Sequence, residues 1–158
     1  MDRRGPVGPA RAAGPGDLRT TIAIAVVMHA GGVLVGRRRT DAADAAGLHE
    51  FPGGKVETGE SAAAAAVRET MEEAGLSIRV GRLLATAVAE STRGPVDLLF
   101  FQAAPVSPAP DPKPPFAWVP LPCLKDLGFP AANRGVVELL LRSRGDERPP
   151  SSGCEGQA

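Results

Sequence analysis

Runs of apolar residues and the polar breaks between them divide the chain into short segments. Residues 21–30 are dense in β-branched and small apolar side chains and predict a strand. Gly31-Gly32 offers a turn, and residues 33–37 predict the strand that returns from it. Residues 77–89 and 96–103 predict two further strands across a turn at 91–95, and residues 116–119 a short one. Helical spacing marks two other segments. Residues 61–74 open on Ser61, a capping residue, pass through a run of alanines and stop at Gly75, where a left-handed residue suits a helix end. Residues 133–142 bring Val136, Val137, Leu140 and Leu141 onto one face. Strands and helices in this mixed order predict an α+β fold.

Stepping about 100° per residue along the first helix places Ala63, Val67, Thr70, Met71 and Ala74 on one stripe, the expected buried face. Glu69, Glu72 and Glu73 then cluster on the opposite side. Like charges at these spacings repel by about 0.2–0.5 kcal/mol per pair. They also stand toward the helix C-terminus, where the macrodipole disfavours anions. Two penalties in one place fit a solvated acidic face or a compensating cation. A hard divalent ion such as Mg2+ or Mn2+ suits carboxylate oxygens. Upstream, Gly53 and Gly54 allow backbone to approach a ligand closely, and a carbonyl there could add an oxygen donor.

Composition narrows the choice. The 158 residues carry 18 basic and 18 acidic side chains, so the net charge is zero and no long basic surface for nucleic acid is expected. An apolar fraction of 43% supports one folded unit, and with no Tyr and one Trp its core must rest on Ala, Val and Leu. The Gly- and Pro-rich stretch 1–19 and the polar stretch 144–158 read as disordered arms around a domain at 20–143. The prolines of 105–115 predict an extended loop. The apolar run at 22–28 is far short of the roughly 20 residues that span a bilayer, so no membrane association is expected. No secretory signal is visible, and the two distant cysteines, Cys123 and Cys154, suggest separate thiols in a cytoplasmic protein.

Gly54, Glu60, Arg68, Glu69, Glu72, Glu73, Gly75 and Leu76 form one spaced pattern. It resembles the Nudix box, G-x5-E-x7-R-E-U-x-E-E-x-G-U with U a bulky apolar residue. The single departure is Thr70 at the first U. The resemblance implies an α/β/α sandwich with a mixed sheet, and Mg2+- or Mn2+-dependent hydrolysis of a nucleoside diphosphate linked to another moiety. It implies Glu72, Glu73 and the Gly53 carbonyl as metal ligands, and Glu69 as a further ligand or as the catalytic base. Arg68 is implied as the arginine that holds a box carboxylate, and Glu60 as a supporting residue.

Residues 50–57 are similar to the segment that enters the box in MutT-type enzymes, the 8-oxo-dGTP diphosphatases. Residues 129–133 are similar to the MutT stretch that ends in a purine-reading asparagine. The resemblance therefore implies a nucleotide substrate met by Arg38 (or its neighbour Arg39), Glu50, Phe51, Pro52, Gly53 and Asn133. An Asn amide presents a donor and an acceptor side by side, which suits an oxidised guanine edge. A helix N-cap is the other reading of Asn133. The expected activity is release of a nucleoside monophosphate and pyrophosphate from 8-oxo-dGTP, by a monomer or homodimer. The alternatives are another Nudix substrate (ADP-ribose, NADH, a dinucleoside polyphosphate or a pyrimidine triphosphate) and a nucleotide-binding module without turnover. The one acid of the 105–115 loop, Asp111, is not assigned to the site.

Overall fold

The computed structural model describes residues 19–38, 47–106, 108 and 111–143. The expected arms, apart from Arg19, and the alternative Arg39 lie outside the described residues. Strand β1 (Thr20–His29) turns into β2 (Gly32–Arg37), followed by β3 (His49–Glu50) and β4 (Gly53–Lys55). Helix α1 (Ala62–Ala74) leads to β5 (Ile78–Ser91), β6 (Gly94–Pro105), β7 (Ala117–Pro120) and helix α2 (Arg134–Arg142). The first turn falls on Ala30 and Gly31, one residue earlier than expected, with φ of 49° and 78°. Two positive φ values in a two-residue loop match the twist of a hairpin.

The strands join in the order β3-β2-β1-β6-β5, with β4 also on β1 and β7 also on β2. β1 and β6 run parallel and the other neighbours antiparallel, so the sheet is mixed. Successive residues of β1 feed opposite layers. Ala23, Ala25 and Val27 pack with Ala65, Ala66 and Ala74 of α1. Ile24 and Val26 pack with Val136 and Leu140 of α2. Burial on both faces is why this strand reads as a continuous apolar run rather than an alternation. The result is an α/β/α sandwich, as the sequence implied.

The packed face of α1 differs from the expected stripe. Ala65, Ala66, Thr70 and Ala74 are buried, whereas Val67 and Met71 are 37% and 45% exposed. Alanines on the helix meet alanines on β1, so the two backbones come close and leave no room for larger side chains. Glu69 and Glu73 consequently border the buried face instead of opposing it. Thr70 at the box's apolar position satisfies its hydroxyl by donating to the Ala66 carbonyl at 2.7 Å. The helix is capped as expected, with Ser61 Oγ accepting from the Ala64 N–H and Gly75 left-handed at φ 68°.

Two short 3-10 turns, Leu121–Asp126 and Ala131–Asn133, were not foreseen; they close the α2 side with Leu121 and Leu124 buried. Cys123 is buried and disulfide-bonded, which corrects the expectation of an unpaired thiol. Among the described residues no helix is long and apolar enough to cross a membrane.

Candidate functional site

The site is built where β4 meets α1. Gly53 and Gly54 pair with Ile24 and Ala23 of β1. A Cβ on Gly53 would stand 2.9 Å from the Ile24 Cα, too close for any side chain. A Cβ on Gly54 would overlap the Glu69 carboxylate, its Oε2 at 2.7 Å. The two glycines therefore let a helix carboxylate lie directly on strand backbone. The close approach is between two parts of the chain, where the sequence suggested one between backbone and a ligand.

Arg68 organises the neighbouring acids. Its Nε and Nη2 donate to the two oxygens of Glu60 at 3.2 and 2.7 Å, a forked charge-assisted pair. Its Nη1 donates to Glu69 Oε1 at 2.8 Å and reaches Glu72 Oε2 at 3.4 Å, and Nη2 also donates to the Lys55 carbonyl at 3.1 Å. These acids, Glu60 and Glu69 foremost, hold the guanidinium pKa above its ordinary value. Glu60 is held below the usual carboxylate range by Arg68 and then by the Glu57 N–H. Glu60, Arg68, Glu69 and Glu72 are thus one network of hydrogen bonds.

Lys113 supplies a cation that sequence reasoning missed. Its Nζ donates to the Glu72 carbonyl at 3.2 Å and its N–H to the Ala74 carbonyl at 2.8 Å. A positive charge on the last carbonyls answers the unfavourable dipole at this helix end. The one available signal was a lone lysine in the proline-rich loop.

Among the described residues no basic side chain pairs with Glu73. Burial, then the charge of Glu50, then a hydrogen bond with Glu69 and its charge, push its carboxyl up to about 8 against the opposing Gly53 N–H. Among the described residues no three acidic, imidazole or thiol side chains already stand arranged to hold a metal ion. The donor set nevertheless fits a hard divalent cation. It consists of carboxylate oxygens, one carboxyl pushed up by burial and then by its acidic neighbours, and a cation would offset both.

The other expected contacts divide between two sides of the segment 49–51. Glu50 accepts from Arg38 Nε at 2.9 Å and carries its charge toward Glu73. Phe51 faces the opposite way and stacks on Phe129, ring centres 5.0 Å apart. Pro52 is buried, and its carbonyl accepts from the Ala25 N–H at 2.9 Å. Asn133 is 7% exposed and stands on the α2 side at the start of that helix. Its side chain makes no capping hydrogen bond, because its backbone is already helical as it leaves the preceding turn. The capping alternative is therefore not what this residue does.

A mixed sheet between two helices, with a glutamate-rich helix seated on a Gly-Gly strand, defines the Nudix architecture. A NUDIX domain family model matches residues 18–140, and the chain belongs to the Nudix family. Over 63 residues the chain is 41% identical to the CTP pyrophosphohydrolase of Escherichia coli (strain K12), a match covering 40% of this chain and 47% of that protein. The chain thus spans about half the length of the curated relative it matches. Its fold is similar to the crystal structure of the MutT protein from Methanosarcina mazei Go1, with TM-score 0.67 and 25% identity over 81% of this chain and 96% of that one. It is also similar to the solution structure of the E. coli ORF135 protein, with TM-score 0.66 and 25% identity over 89% of this chain and all of that one.

Proposed function

We propose that the chain is a metal-dependent nucleoside triphosphate pyrophosphohydrolase that yields a nucleoside monophosphate and pyrophosphate, with 8-oxo-dGTP as substrate. The observation that carries this reading is the placing of Glu50, Glu69 and Glu73 together beside Gly53, where burial and then the neighbouring acids push the Glu73 carboxyl up to about 8. A divalent ion held by Glu69, Glu72, Glu73 and the Gly53 carbonyl would neutralise the polyphosphate and make a bound water more acidic. Arg68 fixes Glu69 by their 2.8 Å contact, so Glu69 is oriented before substrate arrives. Glu60 in turn fixes Arg68. Arg38 and Glu50 meet the phosphate side, while Phe51, Pro52 and Asn133 border the base.

Asn133 tests the choice of base. Its amide caps nothing, so Asn133→Ala should forgo the stability loss expected of a cap. Instead the kcat/KM ratio for 8-oxo-dGTP over dGTP should fall by about 5- to 150-fold, the range for losing a buried hydrogen bond to the favoured substrate. An unchanged ratio removes the case for an oxidised purine. The identity to a CTP pyrophosphohydrolase favours a second reading, a pyrimidine triphosphate. Pyrophosphate release from 8-oxo-dGTP, dGTP, CTP and dCTP, compared side by side, decides between them.

The metal reading carries a pH dependence. Glu73 has a folded pKa of about 8 against an ordinary value of 4.5, so the folded state binds the extra proton between those values. Stability of the metal-free protein therefore falls as pH rises through that window. A cation must displace the proton, so binding strengthens as pH approaches about 8. The rise in Tm on adding Mg2+ should be larger at roughly pH 8.5 than at roughly pH 6. Thermal melts at the two pH values check this, and an equal shift at both contradicts it.

A further inference from the structure

The segment 49–51 carries a residue that the box and its neighbours leave without a task. His49 heads β3, with its N–H bonded to the Gly128 carbonyl at 2.7 Å and its backbone paired with Arg37. Its ring lies 6.1 Å from that of Phe129, which in turn stacks on Phe51. His49 and Phe51 thus face one side of the segment. Glu50 between them turns its charge to Arg38 and Glu73 on the other. Alternation in an extended segment imposes this sorting.

Within that row of rings the His49 Nδ1 is buried and has no hydrogen-bond partner, the sole such side-chain atom among the described residues. An imidazole nitrogen is always a donor or an acceptor. Leaving one buried and unpaired is costly, and natural folds rarely accept it without a use. The surroundings show which kind of group could answer it. The charged side of the segment belongs to Glu50 and Glu73, where phosphates and their cation go. The side with His49 holds the rings of Phe51 and Phe129, which pack with Val136 and Leu140 of α2, and Asn133 stands at the start of that helix.

We propose that His49 contacts the nucleobase through Nδ1 and, with Asn133, sets base preference. This rests on the reading of the chain as a nucleotide hydrolase and extends it to a residue outside the box. The imidazole can present Nδ1 as donor or acceptor according to its tautomer, so the base edge that pairs with it selects the form.

The test compares wild type with His49→Leu and His49→Gln. Leucine keeps the apolar bulk and removes the nitrogen, while glutamine restores a polar group. Each protein is assayed with Mg2+ on 8-oxo-dGTP, dGTP, CTP and dCTP. Binding of the corresponding monophosphates is measured by calorimetry. His49→Leu should compress the ratio between best and worst base by about tenfold, with His49→Gln recovering part of it. The same variant should melt no lower than wild type, since it discards an unpaired buried atom. If wild type turns over nucleotides and the leucine variant leaves every base ratio unchanged, the His49 assignment is wrong and the hydrolase reading stands. If wild type turns over none yet binds monophosphates with a preference that His49→Leu compresses, the hydrolase reading fails and the assignment stands. A change confined to the CTP-to-dCTP ratio places the contact on the sugar and overturns the base assignment. Absence of both turnover and binding overturns the two together.

Discussion

Replacing Glu73 by Gln should lower kcat by at least about 10²-fold while raising the melting temperature of the metal-free protein. The two effects have one cause. In the fold Glu73 sits beside Glu50 and Glu69 and keeps a proton up to about pH 8, because its ionised form is poorly solvated and repelled. Glutamine has nearly the same size and cannot ionise, so it removes that repulsion. It equally removes a charge that a divalent ion would need, and loss of one strong electrostatic contributor costs about 10²- to 10³-fold in turnover. Steady-state kinetics with Mg2+ and a thermal melt without it measure both quantities on the same protein. Ordinary damage to the fold would lower both together. A variant with near-wild-type turnover would contradict the assignment of Glu73 to the metal, whatever its melting temperature.

The opposite directions of those effects could not have been read from the sequence. Spacing alone put Glu69, Glu72 and Glu73 on one helix stripe, and the box gave them a role by resemblance. Which way that stripe faces depended on packing. Val67 and Met71 are the largest apolar residues of α1 and drew the expected core face toward themselves, yet both are substantially exposed. What decides the orientation is the run of alanines against Ala23 and Ala25, a contact between two segments far apart in sequence. Small residues on both partners give close approach, and close approach is what turns Glu69 onto Gly54 and crowds Glu73 against Glu50.

The same limit explains what else was missed. β3 and β4 span two and three residues, too short for any period to show, and both exist because neighbouring strands supply their partners. They are also the strands that carry Glu50 and Gly53. The long elements β1, α1, β5, β6 and α2 were legible because each repeats its pattern over nine residues or more. Arg38 was expected to contact substrate on resemblance alone, and its 2.9 Å bond to Glu50 joins two segments whose pairing no local signal announces. Lys113 reaches α1 from 41 positions away in the chain, and only the folded sheet brings it there.

Arg68→Lys is the second change with a large expected effect, and it separates charge from geometry. The guanidinium serves Glu60 with Nε and Nη2 and Glu69 with Nη1, at 3.2, 2.7 and 2.8 Å. A lysine ammonium keeps the charge but is a single centre on a flexible stem, so it cannot hold two carboxylates in one plane. Glu69 would then lose its fixed position over Gly54, and a displacement of about 1 Å at a reacting group can cost on the order of 10²-fold. We expect kcat to fall by about 10- to 10²-fold with KM little changed, since the Arg68 guanidinium is occupied by carboxylates of the chain. Glu60→Gln should act through the same link, by loosening Arg68. The double variant should therefore lose much less than the product of the two single losses, as members of one network do. Kinetics of the two single variants and the double variant measure the coupling. If lysine restores full activity, charge alone suffices and the fork has no role in positioning Glu69. If the losses multiply, Glu60 and Arg68 act independently, and the chain of support from Glu60 through Arg68 to Glu69 is broken.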